Sequence, residues 1–470
     1  MQIAQQALSV LNKKSNFYFL LAVLLAETLF LFGYNIHYIS GDQYTYMNYV
    51  KGFQQGRYTY WYFLQQYVPD TFRNPGYPLF LYACSLISES VIFIKMVQLA
   101  LFFGAICLML RITDRYKQPL AVKNLFLFFV ILNFVILPYP AFIYPEALML
   151  FLITLIVYVE VCIPVNSWKK ITGLALLYGF CFQVRPVIIF IPILRFLWFL
   201  LQYKKLSRAK NSAFLLLFIA TLLPYGFWNL KHHHQFKITP LEGGAGALYL
   251  GYWSPKMVNY AAGRYWKNAT YKDAFINFAT DEETSRNIPV FNREWDSIER
   301  LCGKYLTAQD SANLIIMKQH PELFATYNAT YTNEREQLLK TIAVNHYLSD
   351  FGYSVKLKCY TFFRLWYTGL SLNQYTLMNR FELTRTVIAF ITTSFSLLLF
   401  TGYFLVCLLK RRDLLVIIWL PLFFCFYFDI FHLPFVIQSR YTIPVRFLYL
   451  FSLSFMIYQI HFNKTEKHES

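Results

Sequence analysis

A single aspartate, Asp42, directly follows the first apolar segment of the chain, within the stretch GDQYTYMNYVKGFQQG at positions 41–56. A carboxylate at this place can cap the helix that begins there, and carboxylates are also among the side chains that transfer protons in enzymes. Aromatic and apolar residues then recur at helical spacing up to Gly56, which predicts a helix that buries this stripe in the headgroup region of a membrane. The members of the stripe are Tyr46, Tyr49, Val50 and Phe53.

Three arginines stand next to the predicted ends of apolar segments, namely Arg73, Arg185 and Arg440. A guanidinium group presents paired donors to phosphate oxygens, so each arginine is a candidate ligand for a lipid phosphate. Each can also anchor a helix end in the headgroup region without any ligand. Glu146 stands at the start of another apolar segment, where a carboxylate can form a salt bridge with one of these arginines.

The elements that position these residues are apolar helices. Hydrophobic residues make up 57% of the 470 positions and charged residues 14%, whereas soluble domains have about 45–50% and about 25%. The chain is therefore predicted to be an integral membrane protein whose first span is not cleaved. Ten spans are predicted, at 16–36, 89–111, 122–140, 143–163, 170–184, 186–203, 211–230, 384–408, 413–432 and 441–461.

The net charge of +18 is distributed as the positive-inside rule requires. If the N-terminus is cytoplasmic, the inner loops and termini carry seventeen Lys or Arg residues and four Asp or Glu residues. The excess of basic residues therefore indicates how the protein is oriented in the membrane, and it does not indicate nucleic-acid binding. This topology places residues 37–88 and 231–383 outside the cytoplasm.

The two outer segments are predicted to be helical. Residues 75–88 are apolar but too short to cross a bilayer, and residues 352–370 mix cations with aromatic residues as an amphipathic interfacial helix does. The predicted fold is an all-α polytopic membrane bundle with interfacial helices and a mainly helical extracytoplasmic loop domain. The predicted domains are 1–230, which includes the external loop 37–88, then 231–383 and 384–470.

The order of motifs along the chain resembles a known family. Asp42 after the first span, Tyr46 one turn later, Gly56, and Arg73 before PGYP (75–78) resemble the first external loop of GT-C-type membrane glycosyltransferases. This group includes bacterial aminoarabinose transferases and the protein O-mannosyltransferase-like clan. Further stretches that resemble the family are YPEALMLFLITL (144–155), RPVIIFIPIL (185–194), LPYGFWNL (223–230), GGAGALYLGYW (243–253) and QSRYTIPVRFLYLF (438–451). One departure is Gln43, where some relatives have a second acidic residue.

The resemblance implies a GT-C-type bundle that moves a sugar from a polyprenyl-phosphate donor to an acceptor hydroxyl, with inversion. In this interpretation Asp42 is the general base, and Glu146 orients the acceptor or the sugar or pairs with an arginine. Arg73 and Arg440 are the first candidates to bind the lipid phosphate, and Arg185 is the third. Aromatic side chains expected to flank the sugar are Tyr46, Tyr77 and Tyr441.

The same resemblance implies the surroundings of the reaction. The acceptor is a glycolipid, a glycan or a protein, and membrane lipids surround the bundle in a bacterial inner membrane, with the active site on the extracytoplasmic side. No cofactor is certain, and a divalent cation stays an open alternative, although the sequence shows no Cys/His metal-ligand spacing. His232, His233 and His234 are consecutive and point in different directions on a helix, which makes a poor chelate.

Two other functions fit parts of the sequence. A secondary transporter or flippase for a lipid-linked or small solute also needs many spans, but it usually has internal repeats and ionisable residues near the midplane. An O-antigen polymerase or ligase also combines many spans with a large external loop.

The outer segment 231–383 contains two cysteines, Cys302 and Cys359, which either pair or stay free. Glu27, Lys95 and Arg195 lie within or near spans, where internal pairing is the alternative to a functional role.

Overall fold

The computed structural model describes residues 6, 9–39, 41–164, 167–201, 208–257, 281–367, 380–410, 412–435 and 439–461. Within these ranges the chain consists of helices, turns and bends without a strand, so the predicted all-α class is confirmed. Ser40, residues 368–370 and Gln438, which belong to stretches discussed above, lie outside the described residues.

The helices named below are numbered in chain order. In the N-terminal half they are α1 (Lys14–Asn35), α2 (Asp42–Gln54), α3 (Gly76–Ser85), α4 (Val91–Arg115), α5 (Leu120–Ile131), α6 (Pro145–Cys162), α7 (Trp168–Val184), α8 (Phe190–Leu201) and α9 (Arg208–His233). In the C-terminal half they are α10 (Gly244–Trp253), α11 (Asp281–Gly303), α12 (Ala308–Met317), α13 (Ala329–Ser349), α14 (Phe351–Tyr367), α15 (Arg380–Lys410), α16 (Arg412–His432) and α17 (Arg446–His461).

Six helical segments of the described chain are long and apolar enough to cross a membrane: α1, α4, α6, α9, the segment Arg380–Leu409 of α15, and Arg440–His461, which contains α17. Shorter apolar helices lie at Leu120–Ile131, Pro186–Leu201 and Ile418–His432. The chain is therefore an integral, multi-pass membrane protein, as predicted. Six segments meet the length criterion where ten spans were expected, because several of the predicted spans form shorter helices.

The predicted span 122–140 illustrates such a difference. Its helix, α5, ends at Ile131, and turns then lead to a short 3₁₀ helix at Tyr139–Ala141. Pro138 and Pro140 lack the amide hydrogen that a continued helix needs. The prolines exclude a regular helix through the last part of the predicted span, and α5 ends seven positions before the first of them.

Helix α2 begins at Asp42 and ends at Gln54, and both flanking turns use glycine. Gly41 has φ +53° at the N-cap position, and Gly56 has φ +71° after the helix. These left-handed values favour glycine over other residues. Gly41 occupies the N-cap position and Asp42 is the first helical residue, so the aspartate lies one position beyond the cap.

The aromatic stripe of α2 is largely buried inside the protein, because the loop after α2 and helix α3 cover it. The Tyr46 ring lies 4.8 Å from the Tyr77 ring, and the Tyr49 ring lies 5.4 Å from Tyr58 and 5.3 Å from Tyr60. Edge and stacked ring pairs of this kind add to the free energy gained by burial. The stripe fixes α2 to the bundle and so fixes Asp42.

Of the three charged residues named within or near spans, Lys95 and Arg195 are paired internally, whereas the side-chain oxygens of Glu27 have no hydrogen-bond partner among the described residues. The Lys95 ammonium, fully buried, donates to the carbonyl oxygens of Ile36 at 2.6 Å and Tyr38 at 2.9 Å, beyond the end of α1. Arg195 forms an ion pair with Glu160. Lysine at such a place satisfies carbonyl groups that a helix end leaves without partners.

Helices α10, α11 and α13 pack around a second hydrophobic core, separate from the core of the membrane bundle. Its centre is formed by the rings of Tyr249, Trp253, Phe291 and Trp295, with Leu339 of α13. Cys302 is buried in this core and Cys359 is exposed on α14, and both are free thiols.

Candidate active site

Five charged residues from distant parts of the chain meet at one end of the bundle. Asp42 begins α2, Glu146 lies in the first turn of α6, and Arg185 follows the last residue of α7. Arg440 lies in the 3₁₀ helix Ser439–Val445 before α17, and Arg73 lies in the loop between α2 and α3. These five residues are called the arginine–carboxylate cluster below. The sequence named all five as candidates.

Asp42 is held between two arginines. Arg440 donates to its Oδ2 at 2.9 Å, and the Arg73 guanidinium lies 3.3 Å from its Oδ1. Only 15% of the Asp42 side chain is exposed. Each oxygen of the carboxylate therefore faces a different guanidinium group, and the positive N-terminal end of α2 adds to this stabilisation.

Glu146 forms the second carboxylate centre. Arg185 donates to its Oε1 at 2.5 Å, and Nε of Arg440 lies 3.7 Å from the same oxygen. The Glu146 side chain is fully buried, whereas the arginines keep about a fifth of their surface accessible. This placement favours the pairing role for Glu146 over direct contact with an acceptor or a sugar.

Three guanidinium groups thus face two carboxylates, which leaves one excess positive charge in the arginine–carboxylate cluster. Arg440 links the two centres because it contacts both Asp42 and Glu146. An anion that enters this site meets cations already held in place by buried partners. Such preorganised charges stabilise a developing negative charge without a reorganisation cost.

Aromatic rings surround the arginines. The Arg73 guanidinium lies 5.2 Å from the Tyr46 ring centre, Arg185 lies 5.2 Å from the Tyr441 ring, and Arg440 lies 5.0 Å from the Tyr144 ring. The cation–π attraction at these distances helps to keep the guanidinium planes fixed. Tyr77 lines the same cavity, and its hydroxyl donates to Gln98 Oε1 at 2.8 Å. All three tyrosines named from the sequence therefore lie at the site.

All three arginines line one cavity of about 930 Å³. Tyr46, Tyr77 and Tyr441 also contribute to its lining, while Asp42 lies beside the cavity, in contact with two of the arginines. Cavities that bind small organic ligands measure about 300–1,000 Å³. The cavity is therefore large enough for a small organic ligand.

Helices α3 and α7 approach closely at Gly76, and this approach sets the position of two arginines. A Cβ atom on Gly76 would lie 2.4–2.6 Å from the backbone of Gln183 and Val184. Only glycine permits this contact. The Pro75-Gly76 pair in the sequence therefore brings the loop with Arg73 against the end of α7, where Arg185 lies.

The neighbouring arginines lower the pKa of the Asp42 carboxyl group. Burial raises the pKa of its carboxyl, but the attraction of Arg73 and Arg440 outweighs burial, and the pKa falls from 3.8 to about 2. Asp42 is therefore ionised at any physiological pH. While both arginines stay bound to it, the carboxylate is a weak base.

Asp70 is a residue of this region that the sequence did not indicate as functional. Its carboxylate is buried, and burial raises its pKa from 3.8 to about 7, although hydrogen bonds from Tyr49 and from the amides of Phe72 and Arg73 oppose the shift. The available signal was its place three residues before Arg73, since aspartate often accepts hydrogen bonds from amides two and three positions later.

The three consecutive histidines do not converge on one point. A ring nitrogen of His233 lies 2.8 Å from the carbonyl oxygen of Asp70, and His232 packs 4.8 Å from the Trp228 ring. His234 has φ +57° beyond the end of α9. Across the described ranges, no group of three His, Cys, Asp or Glu side chains is arranged to hold a metal ion.

Replacing Arg185 by Ala is expected to lower the free energy of unfolding by about 3–5 kcal/mol, because Glu146 would lose its nearest buried partner. Thermal unfolding of the purified protein in detergent measures the change. The matched control replaces the pair by apolar residues, Glu146→Leu with Arg185→Met, which should recover most of the stability. An Arg185→Ala variant as stable as the wild type would show that the salt bridge does not support the fold.

No protein-family model and no curated protein sequence matches this chain. Among solved structures, the chain is similar to ArnT from Cupriavidus metallidurans bound to undecaprenyl phosphate, with a TM-score of 0.37 and 10% sequence identity. The similarity covers 93% of this chain and 77% of that chain. A similarity this distant does not by itself assign a reaction, so the functional assignment rests on the arginine–carboxylate cluster.

Proposed function

We propose that the protein is a GT-C-type membrane glycosyltransferase that moves a sugar from a polyprenyl-phosphate donor to an acceptor hydroxyl. The observation that carries the proposal is the pair of cavity arginines, Arg73 and Arg440, bound to the two oxygens of one carboxylate, Asp42. A phosphate leaving group needs the cations, and a neutral hydroxyl nucleophile needs the base. Both requirements are met within one site.

The lipid phosphate is expected to bind Arg73 and Arg440, with Arg185 close by. As the bond between the anomeric carbon and the phosphate oxygen breaks, negative charge grows on that oxygen. Fixed guanidinium groups stabilise this charge, and bidentate contacts to phosphate also orient the donor. The excess positive charge of the cluster favours the entry of such an anion.

Donor binding also gives Asp42 its basicity. Arg73 and Arg440 hold its pKa near 2 in the protein without substrate. A phosphate that takes part of their hydrogen-bonding capacity weakens their hold on the carboxylate, so the pKa of Asp42 rises towards the value set by burial. The base is then strongest when the donor is in place, which favours donor binding before acceptor attack.

The acceptor hydroxyl would lose its proton to Asp42 as its oxygen attacks the anomeric carbon. Attack from the face opposite the phosphate forms the new glycosidic bond, breaks the bond to the phosphate and inverts the anomeric centre. The tyrosine rings of the cavity, Tyr46, Tyr77 and Tyr441, would contact the sugar. Glu146 acts through Arg185 and Arg440, whose positions it fixes.

The polar lining that α13 and the segment between α9 and α10 contribute to the cavity suits a polar acceptor. Side chains of α13 at positions i, i+3, i+4 and i+7 line it, and these are Asn333, Glu336, Gln337 and Lys340. The lining also includes Lys237 and Thr239 from the segment between α9 and α10. Amide, hydroxyl and charged groups together can bond to the hydroxyls of a glycolipid or glycan, or to the polar groups of a protein acceptor.

The proposed setting follows from the charge distribution of the sequence. The N-terminus would be cytoplasmic in a bacterial inner membrane, and the cavity would open on the extracytoplasmic side, next to the outer leaflet. Residues 1–230 and 384–470 would form the membrane part, and residues 231–383 would form the outer domain that contacts the acceptor.

Incubation of the purified protein with polyprenyl-phosphate sugars and envelope glycolipid extracts tests this proposal. The expected result is release of polyprenyl phosphate together with transfer of the sugar to an extracted acceptor. Sugar-independent flux of a solute or lipid into vesicles, without release of polyprenyl phosphate, would instead identify a transporter or flippase. Polymer growth or ligation of preformed glycans would identify the O-antigen alternative.

A further inference from the structure

The backbone around Arg73 is fixed by a set of buried polar groups that the reaction itself does not use. Asp70 Oδ2 accepts hydrogen bonds from the amide of Phe72 at 3.1 Å and from the amide of Arg73 at 2.9 Å. Asp70 Oδ1 accepts a hydrogen bond from the Tyr49 hydroxyl at 2.5 Å. The Asp70 side chain is almost fully buried, so all three bonds are sheltered from water.

The carbonyl group of Arg73 accepts hydrogen bonds from two buried tyrosines. The Tyr58 hydroxyl donates to it at 2.6 Å, and the Tyr225 hydroxyl of α9 donates to it at 3.0 Å. One buried carboxylate and two buried phenols thus bind both polar groups of the Arg73 peptide backbone. Such complete pairing is unusual for a connecting loop, because the backbone N–H and C=O groups of loops usually form hydrogen bonds with water.

Neighbouring residues of the same segment are fixed as well. Thr71 donates to Glu242 Oε1 at 2.7 Å, and its carbonyl accepts from the Glu242 amide at 3.0 Å. Asn74 donates to Gln183 Oε1 at 3.2 Å. The chain from residue 70 to residue 74 therefore has little freedom, although it forms no helix.

We propose that Asp70 is a positioning residue that, together with Tyr58 and Tyr225, sets the place of the Arg73 guanidinium for the lipid phosphate. The inference rests on the proposed function, since it takes Arg73 as a phosphate ligand. Asp70 contacts only the backbone of Arg73, while Asp42 contacts its guanidinium. The two aspartates thus hold the two ends of the same residue.

The physical benefit is preorganisation. An arginine side chain has many rotamers, and a mobile loop would add backbone freedom that phosphate binding must then remove. A fixed Cα position limits the guanidinium to the places from which it reaches both Asp42 and the cavity. In metal sites, some residues hydrogen-bond to a ligating side chain and orient it without contacting the metal. Their removal commonly weakens metal affinity by about 10–100-fold.

Binding of decaprenyl phosphate to the full-length protein in detergent tests the role of Asp70, with decaprenol, which lacks the phosphate, as the control for tail binding. Asp70→Ala is expected to weaken binding of decaprenyl phosphate by about 10-fold. Asp70→Asn keeps an oxygen that accepts from the two amides, so it should retain most of the affinity. Decaprenol binding should stay unchanged in both variants.

A double-mutant cycle with Arg73→Ala separates positioning from general support of the fold. In the Arg73→Ala background, Asp70→Ala should cause no further loss of affinity, because the side chain that it positions is already absent. Equal losses in both backgrounds would overturn the positioning role. If the wild type shows no phosphate-dependent binding, the proposed function fails and this inference fails with it. If Arg73→Ala loses affinity for decaprenyl phosphate but Asp70→Ala does not, only the inference is overturned.

A matched pair of tyrosines keeps the test valid if Asp70→Ala does not fold. Tyr58→Phe removes a hydroxyl that donates to the Arg73 carbonyl and should weaken decaprenyl phosphate binding by about threefold. Tyr60→Phe removes a buried hydroxyl that bonds to Phe324 and Thr326 and should leave binding unchanged. Equal effects of the two substitutions would overturn the inference.

Discussion

Replacing Asp42 by Asn is expected to lower the turnover of sugar transfer by about 10²–10⁴-fold, the range that a general base contributes. The amide occupies the same volume as the carboxylate, but it does not take a proton from the acceptor hydroxyl. Release of polyprenyl phosphate from a polyprenyl-phosphate sugar, measured with saturating acceptor, reports the turnover.

Donor binding provides a second readout for the same variant. Asp42→Asn removes the anion that binds Arg73 and Arg440 at 3.3 and 2.9 Å, so both cations gain capacity for a phosphate. Binding of polyprenyl phosphate should therefore be as tight as in the wild type or tighter, while turnover falls. The matched control is Asp114→Asn, whose carboxylate pairs with Lys123 and is 61% exposed. Full turnover in Asp42→Asn would remove Asp42 from the mechanism.

Replacing Arg440 by Ala is expected to lower turnover by about 10²–10³-fold, as the loss of one preorganised donor at a developing negative charge does in other enzymes. Arg440 contacts both carboxylates of the cluster, so its loss also leaves Asp42 and Glu146 with fewer counter-ions. The affinity for polyprenyl phosphate should fall together with turnover, in contrast to the result expected for Asp42→Asn.

Two further variants define the role of Arg440. Arg440→Lys keeps the charge but not the planar pair of donors, so its turnover should lie between those of the alanine variant and the wild type. Arg300, which is exposed on α11, provides the matched control, and Arg300→Ala should leave turnover unchanged. Unchanged affinity for polyprenyl phosphate in Arg440→Ala would show that the lipid phosphate binds elsewhere.

Much of the architecture follows from local sequence patterns. The apolar segments predicted the membrane helices, because burial of apolar side chains in lipid depends on composition over a short window. Glycine marks both ends of α2, at Gly41 and Gly56, since its backbone preference acts within one or two residues. Hydropathy extended the predicted span 122–140 through Pro138 and Pro140, because it does not register their missing amide hydrogens.

The same patterns indicated which charged residues share one end of the bundle. Asp42 and Glu146 begin helices, and Arg185 and Arg440 stand next to helix ends, so alternation of the spans places them on one side. The structure brings these residues within hydrogen-bonding or ion-pair distance of one another. Their types and their side of the bundle were therefore predictable from the chain alone.

The partners within the cluster were decided only by tertiary packing. Arg440 donates to Asp42 across 398 positions of sequence, and no local pattern encodes a contact between residues so far apart. Packing also buried Glu146 completely, and it covered most of the α2 stripe with protein. Asp70 gained its role in the same way, because the Tyr225 hydroxyl that shares its task comes from α9. The sequence by itself determined a membrane helix bundle with acidic residues and arginines at one end. The tertiary structure determined which carboxylate pairs with which arginine, because pairing depends on distances that only the folded chain defines.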